Sequence, residues 1–290
     1  MRVTQAGLWN LVRQNLATNS TRLREVEDQA VTGLLISKPS DAPELVGQID
    51  RLQAGSLDQE VYGKNATQAI GSLDQLDSAL GRVHDTLSRA RELAVQTAGD
   101  LSNSDDRGYA ALEVSALRDT LLDAANSNFG GRYIFAGTAY DTPPFADDGS
   151  YTGSTDVPTT KVGDSTWVDT GLDGSAVFDD SVDIFAAIDA FQTALEADDT
   201  TGIQSALDDI DAALDQVMSA RANVGNQTNV ATDASSLAES LGAQLDAGLS
   251  DIVSADPAET YMKLSELRTS YQTALQVAAS ARSVGLFDLM

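Results

Sequence analysis

Residues 9–30, WNLVRQNLATNSTRLREVEDQA, carry Trp9, Val12, Leu16, Asn19, Leu23, Val26 and Ala30 at alternating steps of three and four. That spacing draws one stripe along a helix, apolar except at Asn19, and it is the period of a helix that winds on another. A helix with a single apolar stripe is marginal alone in water, so the stripe demands a partner surface. At the other end of the chain Tyr261, Leu264, Arg268, Tyr271, Leu275 and Ala278 repeat the spacing. The two ends are therefore expected to pair, residues 1–32 with 256–290, and assembly is a better expectation than chemistry.

Composition narrows the function by exclusion. The 290 residues are 42% hydrophobic, enough for a core and for two or three domains. Cysteine is absent, which removes disulfides, thiolate metal sites and a cysteine nucleophile. The one histidine, His84, sits mid-helix beside an apolar seam and reads as structural rather than catalytic. Asp147-Asp148-Gly149, with Asp156 nearby, offers clustered oxygens for calcium, but the loop pattern that ends in glutamate is missing and Asp-Gly suits a turn. No phosphate-cradling glycine loop occurs, so neither cofactor, metal nor enzyme activity is expected.

Net charge is −26, and between residues 141 and 220 eighteen acids face one base, Lys161. Such a field repels nucleic acid and anionic lipid, and the expected role is a solvated surface. No apolar run is long enough to span a membrane. The start lacks an apolar signal core, so export through a cleaved signal peptide is not expected.

Along the chain, Gly33 is placed to close the first helix, and Asp41 followed by Glu44 resembles a capping box that starts a second near residue 42. A seam from Leu45 through Leu73, Leu80 and Leu87 to Ala94 predicts a very long helix, with bends at its glycines. Asn103 or Ser104 caps a third helix, expected to fold back antiparallel. Arg132-Tyr133-Ile134-Phe135 reads as a strand, and the turn-rich residues 137–178 as several short strands. Helical spacing returns at Ile184 and again at Ile203, turns ragged between Leu237 and Ile252, and restarts at Asp256-Pro257-Ala258-Glu259. The fold expected is mainly α: a long antiparallel helical rod with terminal coiled-coil helices and a small β-rich insert. Its divisions are 1–32 (N-terminal coiled-coil helix), 33–137 (rod, first part), 138–179 (β-rich domain), 180–255 (rod, second part) and 256–290 (C-terminal coiled-coil helix).

Three stretches carry a resemblance to a known family. Residues 32–43, TGLLISKPSDAP, are similar to T-G-x-x-I-x-x-P-S-D-D-P of the flagellin family, with Ala42 in place of the second aspartate. Residues 91–96, RELAVQ, and 219–225, SARANVG, resemble two further segments of that family, so both helical arms are covered. Residues 126–137, NSNFGGRYIFAG, with 142–145, TPPF, and the ending 284–290, VGLFDLM, are closer to its hook-associated junction branch than to filament subunits.

The resemblance implies a structural subunit of the bacterial flagellum between hook and filament, with filament flagellin as the alternative. It implies no catalysis and no cofactor. The implied partners are further copies in a ring or helical oligomer, the hook-side junction protein, flagellin and an export chaperone, with no nucleic acid and no membrane. The implied location is the extracellular flagellum, reached by type III export. The expected assembly interface comprises Trp9, Val12, Leu16, Leu23 and Val26 near the N-terminus. Near the C-terminus it comprises Tyr261, Leu264, Tyr271, Leu275, Leu286 and Phe287.

Overall fold

The computed structural model describes residues 5–99 and 103–287, with side chains described at 7, 10–99 and 103–279. Among the described residues the fold is mainly α, with two small antiparallel sheets. In chain order it runs α1 (Gln5–Thr32), α2 (Val46–Thr97), α3 (Ser104–Ala125), β1 (Asn128–Phe129), β2 (Arg132–Tyr133), β3 (Thr159–Lys161) and β4 (Trp167–Asp169). It then continues through α4 (Ser175–Phe178), α5 (Ile184–Glu196), α6 (Thr200–Val253) and α7 (Pro257–Phe287). The chain forms two compact units, residues 1–56 with 243–290 and residues 57–242.

In the first unit α1 packs along α7. Gly33, at φ +72°, closes α1 as glycine can, and its N–H returns to the Gln29 carbonyl at 2.8 Å. The chain is then tied to the segment before α7: Ala255 N–H donates to the Gly33 carbonyl at 2.9 Å and Leu35 N–H to the Val253 carbonyl at 2.7 Å. The start of α2 differs from the sequence expectation. The helix begins at Val46, because the Asp41 carboxylate turns back and accepts from Ser37 N–H at 3.1 Å and Lys38 N–H at 2.9 Å. A side chain that caps its own loop is not available to cap the helix that follows. α7 starts as expected, with Asp256 accepting from Ala258 N–H at 2.8 Å and Pro257 in the first turn.

α2 and α6 are each continuous, at 52 and 54 residues, without breaks at their glycines. Close approach explains one of these in the first unit: a Cβ at Gly55 would lie 3.2 Å from Leu245.

In the second unit Asn103 caps α3 by accepting from Asp106 N–H at 2.9 Å. α3 runs antiparallel to α2, as the pairs Arg107 to the Thr97 carbonyl (3.1 Å), Arg89 to Glu113 (2.7 Å) and Arg82 to Ser127 (2.6 Å) require. One core joins α2, α3, α5 and α6 through Leu73, Leu80, Leu87, Leu121, Ile188 and Ile210. The insert has less strand than its sequence suggests. β2 ends at Tyr133, and β1–β2 and β3–β4 are the paired strands, with isolated bridges outside them such as Phe145 to Tyr151. Side-chain packing replaces ladder bonds there. Phe135 meets Phe178 edge-on at 5.4 Å, Phe145 meets Phe178 at 4.8 Å, and Phe178 stacks on Phe185 at 5.7 Å.

Candidate assembly surface

Both terminal helices present one step pattern to each other. On α1 the half-buried side chains Val12, Leu16, Asn19, Leu23, Val26 and Ala30 form the stripe. On α7 Thr260 and Leu264 are buried, and Leu267, Tyr271, Ala274 and Ala278 continue the stripe half-buried. The two helices run antiparallel, since the end of α1 is tied to residues just before α7 and Arg268 reaches Glu27 at 3.1 Å. Asn19 is the polar position of its stripe, a placement that costs stability and penalises shifted registers.

The expected interface residues separate into three groups. Val12, Leu16, Leu23 and Val26 lie on the α1 stripe, and Leu264 and Tyr271 on the α7 stripe. Tyr261 and Leu275 lie off it, 61% and 45% exposed. Trp9, Leu286 and Phe287 fall outside the described side chains. Leu267 and Ala274 belong to the stripe and are missed by the sequence reading. Steps of three and four through Leu264, Tyr271 and Ala278 pass either through 261, 268 and 275 or through 260, 267 and 274; the sequence reading follows the first series and the structure the second.

α7 therefore carries apolar side chains on more than one side. Besides Tyr261 and Leu275, Met262 and Val277 are 66% and 53% exposed. Together with Val12, Met262 and Val277 line a shallow groove of about 840 Å³ between α1 and α7. α1 covers one of these sides, and the others expose apolar surface. Burying any one large side chain of this set contributes about 1.5–3 kcal/mol before ordering costs.

The acidic turn of the insert and the loop after α1 use their carboxylates locally. Asp148 accepts from Ser150 N–H at 2.9 Å and from its hydroxyl at 2.6 Å, which closes a turn at Gly149. The Ser150 hydroxyl, followed by its N–H, holds the Asp148 carboxyl below the ordinary carboxylate range. Backbone N–H groups of Lys38 and then Ser37 do the same for Asp41. Among the described residues no three metal-ligating side chains converge, and no helix is long and apolar enough to cross a membrane. His84 lies half-buried in α2, with its Nδ1 unpaired.

Residues 5–140 match the bacterial flagellin N-terminal helical region, and residues 207–290 the bacterial flagellin C-terminal helical region. The chain is 26% identical to flagellar hook-associated protein 3 of Escherichia coli over 100% of its own length and 99% of that protein's. It is 25% identical to a flagellin of Halalkalibacterium halodurans over 92% of this chain and 91% of the relative. FlgL of Xanthomonas campestris superposes with a TM-score of 0.62 at 24% identity, covering 70% of this chain and 100% of that one. The flagellar junction protein FlgL of Legionella pneumophila superposes with a TM-score of 0.61 at 17% identity, covering 71% and 99%. At these identities the structural likenesses speak for the fold.

Proposed function

Because the chain belongs to the flagellin family, we propose that it is a structural subunit of the bacterial flagellum that forms the junction between hook and filament and catalyses nothing. The observation that carries this reading is the exposed apolar surface of α7: Tyr261, Met262 and Leu275 stay exposed after α1 has packed. Such surface is buried by further helices from other copies, and that burial drives association. The end-to-end likeness to a hook-associated protein favours the junction over the filament itself.

In the same reading Val12, Leu16, Leu23, Val26, Leu264 and Tyr271 hold the α1–α7 pair, while Tyr261 and Leu275 meet neighbouring copies. The coiled-coil ends 1–32 and 256–290, the rod parts 33–137 and 180–255, and the insert 138–179 are the proposed divisions. The hook-side junction protein and flagellin are the proposed neighbours, an export chaperone holds the chain before assembly, and type III export delivers it outside the cell.

Deleting the gene decides the role. Cells should keep hooks, lose attached filaments and shed flagellin, and the intact gene should restore filaments in electron micrographs. Filaments still attached to hooks in the deletion strain would overturn the junction role. The alternative, filament flagellin, would be favoured if the purified chain alone grew into long filaments.

A further inference from the structure

The second unit carries 32 acids and nine bases, yet three of those bases make no ion pair among the described residues. Lys64, Arg89, Arg91, Arg107, Arg118 and Arg221 each form an ion pair. The other three are Arg82, Arg132 and Lys161.

These three lie along one line. Lys161 sits over the Tyr62 ring at 5.3 Å, and its carbonyl accepts from the Asn65 side chain at 2.8 Å. Arg82 reaches Ser127, next to β1. Between them a cleft of about 310 Å³ is lined by Gln68, Ser72 and Gln75 of α2 and by Arg132, with Thr159 and Thr160 of β3 on its other wall. From Asn65 to Arg82 the line measures about 25 Å at 1.5 Å per residue. The Arg132 guanidinium stacks on Tyr140 at 3.9 Å, which orders it without neutralising it. Asp164 lies near one end, accepting from the Tyr62 hydroxyl at 3.1 Å.

The same unit carries the complement. Asp208, Asp209 and Asp215 are exposed on α6 and make no ion pair among the described residues. Asp208 and Asp215 stand two turns apart on one side of the helix, about 10 Å along its axis.

We propose that the strip of Arg82, Arg132 and Lys161 docks the acidic side of α6, at Asp208 and Asp215, on a second copy of this chain. This rests on the assembly reading and deepens it. Two different patches that fit each other make a head-to-tail contact, the kind that propagates into a ring or a helical row. Charge pairs across such a contact set register and suppress wrong neighbours more than they add affinity. The terminal helices then supply the apolar burial, and the strip supplies the lateral order.

A charge swap in the producing bacterium tests this with the full chain. Arg132→Glu is expected to lower the amount recovered in isolated flagella by about tenfold, with Lys161→Glu as an independent second variant. Far-UV circular dichroism of the purified variants should stay that of the wild type, since Arg132 is exposed and Lys161, half-buried, lies outside the helices that dominate the signal. Combining Arg132→Glu with Asp208→Lys should restore incorporation. Because cysteine is absent from the chain, co-expressed Arg132→Cys and Asp208→Cys copies should be joined by a short bismaleimide into a dimer of this chain.

Normal incorporation of both glutamate variants overturns the proposal, as does failure of the swap to restore or a cross-link to a protein of another mass. If Leu275→Asp is excluded from flagella while the strip variants enter normally, the strip alone is refuted and the assembly reading stands. If the wild-type chain is absent from isolated flagella, both fall.

Discussion

Arg107 is a buried cation, 5% exposed, that spends its donors on the turn before its own helix. It donates to the Thr97 carbonyl at 3.1 Å and the Gly99 carbonyl at 3.3 Å, and pairs with Asp198 from the α5–α6 turn. Arg107→Met removes the charge but leaves carbonyls without donors, and should cost about 2–4 kcal/mol in urea unfolding of the second unit. Asp198 has φ +56°, which asparagine tolerates, so Asp198→Asn should cost less because it removes only the charge from the half-exposed end of the pair. Equal losses for the two substitutions would mean that the carbonyl contacts carry none of the stability. Tyr151 supplies a pH signature. Burial, with Asp173 nearby, pushes its hydroxyl up to about 12. Its folded value exceeds the unfolded value near 10, so folding favours the neutral phenol. That contribution is complete below pH 10 and is lost as pH rises toward 12. One of the seven tyrosines should ionise last in an absorbance titration, and Tyr151→Phe should remove that step and the accompanying loss of urea resistance.

At the scale of elements, two leucines of α7 separate pairing from assembly. Leu264 is 8% exposed on the stripe that meets α1, while Leu275 is 45% exposed off it. Leu264→Asp should unpair the terminal helices and reduce the helical signal of the isolated chain. Leu275→Asp should leave that signal intact and still exclude the chain from flagella. A reversed order of effects would mean that the stripe assignment is wrong. The same helix shows what could be read beforehand. Helix ends governed by neighbouring residues were legible, at Gly33, at Asn103 and at Asp256-Pro257, because capping is a contact between residues two to four apart. The start of α2 was not, since Asp41 had two local partners to choose from and took Ser37 and Lys38. The phase of α7 was ambiguous because apolar residues lie on several of its sides. The insert read as strands through its threonines and aromatics, whereas the folded insert holds itself mainly by packed rings at 4.8–5.7 Å. Arg107 gave no signal at all, its ionic partner being 91 residues away.

Over the whole molecule, charge is divided as unequally as apolar surface. The first unit holds twelve acids and nine bases, the second 32 acids and nine bases. Near-neutrality suits the proposed packing of this unit against other copies, because repulsion between like-charged copies would oppose the apolar contact. The second unit bears the self-repulsion instead, and salt acts on two opposed contributions there. It weakens the ion pairs, but pairs as exposed as Arg89–Glu113, at 46% and 43%, are worth about 0–1 kcal/mol each. It also screens the many unpaired carboxylates, whose mutual repulsion reaches across about 30 Å at 0.01 M ionic strength but only about 3 Å at 1 M. With so large an excess of acid, the repulsion outweighs the pairs. Raising sodium chloride from low to near-molar concentration should therefore raise the calorimetric melting temperature of the second unit by roughly 5 °C or more, on the size scaling for a domain of this length. The first unit, close to neutral, should shift much less. A melting temperature that falls with salt would mean that the cross-helix pairs, Arg91–Asp211 and Arg221–Asp77 among them, dominate the balance and that the acidity costs the fold little.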